Sequence, residues 1–269
     1  MMASESLQQV PLSLALFDHI PSQTTTNDKL ALLALHRAIR RRTRNNFIYL
    51  EIGSHLGGSL QALHVDPACR KIISIDPRPR LFKDERGLDL KYDENSTERM
   101  LALLRPIPGA DVGKIETIER DTDAIDADAF HLRPHYCFID GEHTDAAALR
   151  DARFCLRAAE QDACIAFHDA NIVYNAISAF LIELTELQRQ FRAYVLPDAV
   201  FVVELGSCYL SEEEPLKSLK AQHYQAYLFA LESNDWYRAV LNKPLFRKLR
   251  RARFVRRLFI VPGRETQGV

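Results

Sequence analysis

The feature that most constrains the fold of this chain is a set of short apolar runs separated by turn residues and helical patterns. Five such runs lie at residues 47–52, 71–76, 114–119, 136–140 and 163–168. Continuous apolar strands that alternate with helices indicate a parallel sheet covered by helices on both faces. Two more runs, at 194–196 and 200–205, are split by Pro197-Asp198 and predict an antiparallel hairpin that closes the sheet. We therefore predict an α/β protein with a seven-stranded, mostly parallel sheet.

The pattern divides the chain into three parts. Residues 1–44 predict an N-terminal segment with a helix at 29–40, residues 45–206 carry the sheet, and residues 207–269 predict a helical appendage. A chain of 269 residues, 47% of them hydrophobic, has enough material for one large core with such additions.

A basic segment stands near the end of the chain. Residues 243–257 contain eight Lys or Arg and no acid, interleaved with apolar residues that approximate one helical face. Three alternatives stay open: a helix that docks on the domain or on a second subunit of a homo-oligomer, a peripheral membrane contact, or a nucleic-acid contact. Nucleic acid is the least favoured because the formal net charge is -1 and no aromatic RNA-binding signature is present.

The sequence carries no targeting signal that we recognise. The N-terminus lacks the basic start and long apolar run of a secretion signal, and no stretch approaches the roughly 20 apolar residues of a spanning helix. The five cysteines are odd in number and far apart, which favours reduced thiols over a disulfide framework. We expect a cytoplasmic protein, with membrane-peripheral attachment through the basic segment as the alternative.

Glycines stand where the first strand should pass into a helix, in the segment Tyr49-Leu-Glu-Ile-Gly-Ser-His-Leu-Gly-Gly-Ser59. Glycine lets the backbone approach a bulky ligand, and the following helix directs free N–H groups at it. Dinucleotide and phosphate sites use such turns too. Glu51 would repel a pyrophosphate but favours a ligand with a cationic amino-acid group. Asp76 ends the second run, where it could accept two hydrogen bonds from a ribose diol; a plain turn aspartate before Pro77 is the alternative.

These motifs resemble those of the class I S-adenosylmethionine-dependent methyltransferases, over roughly residues 45–206. The resemblance implies a Rossmann-like sheet, S-adenosylmethionine as cofactor, and Asp76 at its ribose. It also implies that Asp121 and Thr122 lie beside the adenine, although their segment reads equally well as an ordinary polar loop. The residues predicted to bind the cofactor are Glu51, Gly53, Ser54, Gly57, Ser59, Asp76, Asp121, Thr122 and Asp140.

Acidic and histidine residues follow the fourth and fifth runs, in the segments Phe138-Ile-Asp-Gly-Glu-His-Thr144 and Ala166-Phe-His-Asp-Ala-Asn171. Ligands bind at the carboxyl ends of parallel strands, so these side chains should converge. Carboxylate and amide oxygens suit Mg²⁺, which predicts the metal ligands Asp140, Asp169 and Asn171. We predict His143 as the general base, assisted by Asp140. A histidine that only satisfies a neighbouring carboxylate is the alternative, and His168 is placed for that role.

The same two segments, together with Asp151, resemble those of bacterial O-methyltransferases of the macrocin type and of the related cephalosporin hydroxylase family. In that group an Mg²⁺ held by aspartates after the fourth and fifth strands accompanies a sugar or catechol-like diol. This chain departs from the pattern, since Asp169-Ala170-Asn171 stands where adjacent acidic or Asp-Asn residues are usual.

The predicted function is methyl transfer from S-adenosylmethionine to a hydroxyl of a sugar-containing or other small polar metabolite, assisted by Mg²⁺. Two alternatives remain at this point. One is a hydroxylase of the cephalosporin hydroxylase type, and the other is a non-catalytic, membrane-associated binding protein on the same fold.

Overall fold

The computed structural model of the chain describes residues 10–79, 81–83, 85, 89–92, 94–221, 223–241 and 243. The basic segment predicted at 243–257 lies outside the described residues except for Lys243. The chain forms two compact units, Met1–Tyr224 and Gln225–Val269.

The strands are β1 Phe47–Ile52, β2 Cys69–Ile75, β3 Leu81–Lys83, β4 Asp89–Lys91, β5 Ile115–Ile118, β6 Tyr136–Ile139, β7 Cys164–Phe167, β8 Phe191–Val195 and β9 Phe201–Leu205. Seven of them form one sheet in the order β5-β2-β1-β6-β7-β9-β8. The first five of this order are parallel, whereas β9 runs antiparallel to both β7 and β8. The predicted seven-stranded sheet with an antiparallel C-terminal hairpin is confirmed.

The α-helices of the described residues are α1 Thr26–Arg42, α2 Gln61–His64, α3 Thr97–Leu104, α4 Asp145–Ala158, α5 Tyr174–Glu186, α6 Leu216–Leu219 and α7 Tyr224–Leu241. Short 3-10 helices cover Leu14–Phe17, Val112–Lys114, Thr122–Ala124 and Leu210–Glu212. None of the helices in this described part is long and apolar enough to cross a membrane. All five cysteines are buried free thiols.

β1 lies at the centre of the sheet, between β2 and β6, and every one of its residues is buried. A central parallel strand is covered on both faces, which is why its sequence is nearly continuous in apolar residues. α1 covers part of this core with Leu35 and Ile39, and a capping box between Thr25 and Asp28 starts the helix. The capping box satisfies backbone N–H groups that the first turn leaves without partners.

Two features differ from the sequence-based expectation. β3 and β4 form a separate antiparallel hairpin in a stretch with no predicted strands. In addition, Leu210 and Leu216 are buried in the main core, although both lie beyond residue 206, where the appendage was predicted to begin. The first compact unit spans Met1–Tyr224, and the predicted division of the chain at residue 206 stays a prediction. Short amphipathic turns give a weak periodic signal, so their docking depends on tertiary packing.

Candidate active site

A cleft of about 390 Å³ lies at the carboxyl ends of the parallel strands. It is lined by the glycine turn after β1, the end of β2, the loop after β5, and the residues that follow β6 and β7. The order of the strands reverses between β1 and β6, and such a reversal opens a crevice in a doubly wound sheet. The cleft is therefore where this architecture binds a ligand.

Gly53 lets the turn after β1 pass close to the turn after β6. Its φ of +89° is one that side-chain-bearing residues rarely adopt, and an added Cβ would lie 2.1 Å from the carbonyl oxygen of Asp140. The Gly53 N–H donates to the carbonyl oxygen of Ile75 at 2.8 Å. Gly57 is also at positive φ, but it packs against Leu104 and Met100. The two glycines thus shape the turn, and only Gly53 lines the cleft.

Glu51 is fully buried beneath the turn. The hydroxyl of Tyr49 donates to its Oε2 at 2.6 Å, and the hydroxyl of Ser59 donates to its Oε1. Burial raises the pKa of Glu51 to about 8, against the smaller lowering effect of these two hydroxyls. Glu51 does not line the cleft, whereas Ser59 does. The expected exposure of the Glu51 carboxylate to a cationic ligand is therefore wrong, because β1 is central and directs this side chain into the core.

Asp76 follows β2 and lines the cleft with its carboxylate almost completely buried. It accepts hydrogen bonds from the backbone N–H of His55 at 2.8 Å and from that of Arg78 at 2.8 Å. The side-chain amide of Asn95 donates to both of its oxygens, at 3.2 and 3.3 Å. These donors fix the carboxylate at the edge of the cleft.

Arg78 is a buried partner of Asp76 that the sequence did not indicate. Its guanidinium lies 3.7 Å from Asp76 and donates to the carbonyl oxygen of His55 at 2.8 Å and to Asn95 at 3.0 Å. Burial lowers the pKa of Arg78, and the Asp76 carboxylate opposes that change. Asp-Pro-Arg at residues 76–78 is the only local signal, and nothing in the sequence marks Asn95, which arrives from the start of α3.

Asp121 and Thr122 line the cleft on the side of β5, as predicted. The Thr122 hydroxyl donates to Asp151 at 2.5 Å, and Arg150 donates to the same two residues at 3.0 and 3.1 Å. Arg150 also lies 3.6 Å from Asp121. Burial raises the pKa of Asp151, while Arg150 and Thr122 oppose the rise. The loop after β5 is thus held to α4 by a compact polar network.

Asp140, His143 and Asp169 come together on the opposite side of the cleft. The Nε2 atom of His143 lies 3.2 Å from Asp169 and 3.9 Å from Asp140. Asp169 has a φ of +49°, so its side chain leaves the end of β7 in a direction that extended backbone would not give. The predicted convergence of these three residues is what the structure shows.

His168 lies beneath this group and is almost fully buried. Its Nδ1 atom is 2.9 Å from Asp140 and 3.3 Å from Asp169, and its Nε2 atom is 3.3 Å from Asp28. Burial alone would lower the pKa of His168, but the three carboxylates raise it well above its usual range. Burial alone would raise the pKa of Asp140, but His168 and His143 lower it to about 2.

The donor set of this group fits a divalent cation. One ligand atom from each of Asp140, His143 and Asp169 lies within 4.8 Å of the others. Two carboxylates are ligands that suit Mg²⁺ and Mn²⁺, whereas the imidazole favours a transition metal over Mg²⁺. Asn171, the third predicted ligand, is exposed and does not line the cleft. The third candidate ligand in the structure is instead His143, from the loop that follows β6.

The rim of the cleft comes from parts of the chain that the sequence did not assign to it. Ser22 and Thr24 line it from the N-terminal segment, and Tyr92 lines it beside β4. The fully buried side chain of Gln61 fastens that segment, because it accepts from the N–H of Ile20 at 2.7 Å and donates to its carbonyl at 2.9 Å. The lining residues missed by the predicted set include Ser22, Thr24, His55, Tyr92, Asn95, Arg150 and Asp151.

Comparison with known proteins relates this cleft to a family. Residues 50–170 match the family model of a methyltransferase domain, which is slightly less than half of the chain. A search of curated protein sequences found no match.

Several solved structures resemble this chain at low identity. The O-methyltransferase TomG from Streptomyces achromogenes, in complex with SAM, is 12% identical, with 75% of this chain and 93% of that chain covered and a TM-score of 0.48. The SAH-bound methyltransferase PaMTH1 from Podospora anserina is 13% identical, with 71% and 81% covered and a TM-score of 0.45. The MycE methyltransferase of the mycinamycin pathway, in complex with Mg and SAH, is 15% identical, with 64% and 48% covered and a TM-score of 0.44.

At such identities and TM-scores these structures carry no information on the activity of this chain. The family model is the informative finding, because its matched residues begin at the end of β1 and run past Asp169, so they span both sides of the cleft. The predicted methyltransferase domain is thus confirmed over residues 50–170 by the family model.

Proposed function

We propose that this chain is an S-adenosylmethionine-dependent O-methyltransferase that acts on a hydroxyl of a sugar-containing or other small polar metabolite. One observation carries the proposal. The glycine turn of the methyltransferase domain and the group Asp140, His143 and Asp169 line the same cleft. A methyl donor on the first side would therefore present its sulfonium to the second.

The cofactor residues follow from the positions of the side chains around the cleft. Gly53, Ser54 and Ser59 take the methionine end, where the turn leaves room for backbone contact. Asp76 takes the ribose hydroxyls, which are donors suited to a fixed carboxylate. The loop with Asp121 and Thr122 takes the adenine side. Glu51 and Gly57 support the turn from behind.

His143 is the proton acceptor in this proposal. Attack of the acceptor oxygen on the methyl carbon forms a C–O bond and breaks the S–C bond, and the hydroxyl proton passes to the His143 imidazole. The carboxylate of Asp169, 3.2 Å away, stabilises the imidazolium that results. Asp140 is a poor base, since a pKa of about 2 makes it a weak proton acceptor at neutral pH. Its role is to hold negative charge beside the reacting groups.

A divalent cation, if bound, would be held by Asp140, Asp169 and His143. When bound, it supplies positive charge that orients the acceptor oxygen and favours loss of its proton. His143 then has two competing roles, as ligand and as base, and a metal titration separates them.

The rim favours a hydroxyl-rich acceptor. Ser22, Gln23 and Thr24 line one side of the opening, and Tyr92 lines the other. The amide of Gln23 donates to the Tyr92 hydroxyl at 3.4 Å, so the two sides meet. Side chains with hydroxyl and amide groups match the hydrogen-bonding surface of a sugar better than that of a flat apolar ring. The macrocin-type resemblance predicts the same class of acceptor.

Calorimetric titration with S-adenosylhomocysteine tests the cofactor part of the proposal. We expect Asp121→Ala to weaken binding by roughly 10-fold, because loss of one ligand hydrogen bond costs about 1 to 2 kcal/mol. Asp123→Ala is the matched control, since it removes an exposed aspartate in the same 3-10 helix that does not line the cleft. Absence of heat with the unmodified chain would refute the cofactor assignment.

Transfer of a labelled methyl group from S-adenosylmethionine tests the reaction. A panel of mono- and disaccharide glycosides serves as acceptors, with catechols for comparison, and mass spectrometry identifies the product. Methylated glycoside that is lost in His143→Gln supports the proposal. Oxygen consumption with Fe²⁺ and no methylated product would point to the hydroxylase alternative instead.

Some expectations from the sequence stay predictions. The basic segment lies outside the described residues, so its membrane, oligomer and docking alternatives remain as stated above. The same is true of the cytoplasmic compartment and of the weak expectation for nucleic acid.

A further inference from the structure

We propose that Asp28, on α1, is a positioning residue of the active site that acts through His168. The inference rests on the proposed function for its catalytic consequence, but its geometry stands independently. Asp28 lies outside residues 50–170, the stretch that matches the methyltransferase domain. The N-terminal helix thereby becomes part of the site.

Asp28 is held rigidly. It is 1% exposed, and its Oδ2 accepts hydrogen bonds from the N–H and the hydroxyl of Thr25, both at 2.9 Å. Its Oδ1 accepts from the N–H of Ala199 at 3.3 Å, so the segment before β9 also fixes it. A carboxylate with three donors from two parts of the chain has little freedom to turn.

The fixed carboxylate contacts only one side of the His168 ring. Asp28 Oδ2 lies 3.3 Å from Nε2, while Nδ1 on the opposite side faces Asp140 at 2.9 Å and Asp169 at 3.3 Å. The ring therefore joins α1 to the residues that follow β6 and β7. Rotation about its χ2 angle would break contacts on both sides, because no other orientation places nitrogen atoms against all three carboxylates.

Asp140 and Asp169 line the cleft, and like charges at this separation repel each other. His168 Nδ1 lies within ion-pair distance of both carboxylates, 2.9 Å from Asp140 and 3.3 Å from Asp169, so a protonated ring offsets this repulsion and holds one oxygen of each at a defined place. Asp28 contributes by keeping the ring in the orientation that makes this possible. Mutation of a residue that orients active-site side chains in this way typically lowers activity by roughly 10- to 100-fold.

The test compares Asp28→Asn with Thr25→Val in the full chain. Asp28→Asn keeps the shape of the side chain but offers an N–H₂ group toward His168. Thr25→Val removes the hydroxyl of the capping box and with it one of the three donors to Asp28, but it keeps the carboxylate opposite His168, so it measures the loss of the helix start with the Asp28–His168 pair still present. If Asp28→Asn fails to fold, Asp28→Gln replaces it, since glutamine also completes a capping box.

The first measurement is the ring N–H resonance of His168 in ¹⁵N-histidine-labelled protein, assigned with His168→Gln. We expect the Nε2 proton to move upfield and to exchange faster with water in Asp28→Asn, and to stay unchanged in Thr25→Val. An unchanged resonance in Asp28→Asn overturns the proposal. Equal changes in both variants also overturn it, because Asp28 would then act only through the fold.

The second measurement is steady-state methyl transfer with an acceptor found in the glycoside assay. We expect Asp28→Asn to lower kcat by roughly 10- to 100-fold with an unchanged KM for S-adenosylmethionine. A raised KM with an unchanged kcat would overturn the positioning role. Absence of methyl transfer in the unmodified chain would count against the proposed function, and the resonance would then decide the role of Asp28 alone.

Discussion

Replacement of Glu51 by glutamine should change how the stability of this protein depends on pH. Glu51 has a pKa of about 8 in the folded chain, against an ordinary value of 4.5, because burial penalises its charged form. The unfolded chain therefore releases this proton at a lower pH than the folded chain does. Stability from the protonated carboxyl is fully present below pH 4.5 and is lost as the pH rises through 8.

The size of the effect follows from that interval. Each pH unit is worth about 1.4 kcal/mol, so the free energy of unfolding should fall by up to about 5 kcal/mol across the interval. Glu51→Gln keeps one acceptor oxygen and places an N–H₂ donor at the other position, so it resembles the protonated carboxyl beside the hydroxyls of Tyr49 and Ser59 but has no proton to lose. The variant should therefore lack this part of the pH dependence.

Urea unfolding followed by far-UV circular dichroism, at half-unit steps from pH 5 to 8.5 and without cofactor, measures the effect. We expect the stability of the unmodified chain, relative to Glu51→Gln, to fall steadily over this range. Glu116→Gln is the matched control, because Glu116 lies on β5 with half of its side chain exposed and pairs with Lys71. The difference in the free energy of unfolding between Glu116→Gln and the unmodified chain should not change with pH. A flat or rising difference for Glu51→Gln would refute the argument.

Two further perturbations follow from the geometry of the cleft. Gly53→Ala should destabilise the chain by several kcal/mol in the same urea assay, because its Cβ would lie 2.1 Å from the carbonyl oxygen of Asp140. Gly141→Ala should destabilise it much less, because the nearest atom to its Cβ would be 3.4 Å away. Equal losses of stability in the two variants would contradict this reasoning. Mn²⁺ titration after chelator treatment tests the metal ligands. Asp169→Ala should weaken Mn²⁺ binding by about 10-fold or more, while Asn171→Ala should leave the affinity unchanged. A larger loss of affinity in Asn171→Ala than in Asp169→Ala would restore Asn171 as a ligand.

The fold was accessible to sequence reasoning because its signal is local and repeated. Buried parallel strands require continuous apolar runs, and these stand out at residues 47–52 and 136–140 without any knowledge of neighbours. The hairpin of β3 and β4 was missed because each strand has only three residues, too few to show a period.

The residues at strand ends were predictable for a related reason. Asp76 and Asp140 follow their strands directly, and Asp169 stands two residues beyond the end of β7, so placing the strand also places the carboxylate at the edge of the sheet. The same reasoning failed for Asn171, which is exposed and does not line the cleft. Two residues beyond Asp169 the chain has already left the strand, so the distance of Asn171 from the strand end no longer indicates where its side chain lies.

The sequence by itself therefore determined the seven-stranded sheet, the glycine turn, and the acidic residues at the ends of its strands. All three depend on residues that are neighbours in the chain. Only the tertiary structure decided that Glu51 turns into the core and that Arg78 is buried beside Asp76. The same holds for the reach of Asp28 across to His168. These features depend on contacts between distant segments or on the direction in which one side chain points. The packing of the whole domain sets the contacts and the directions.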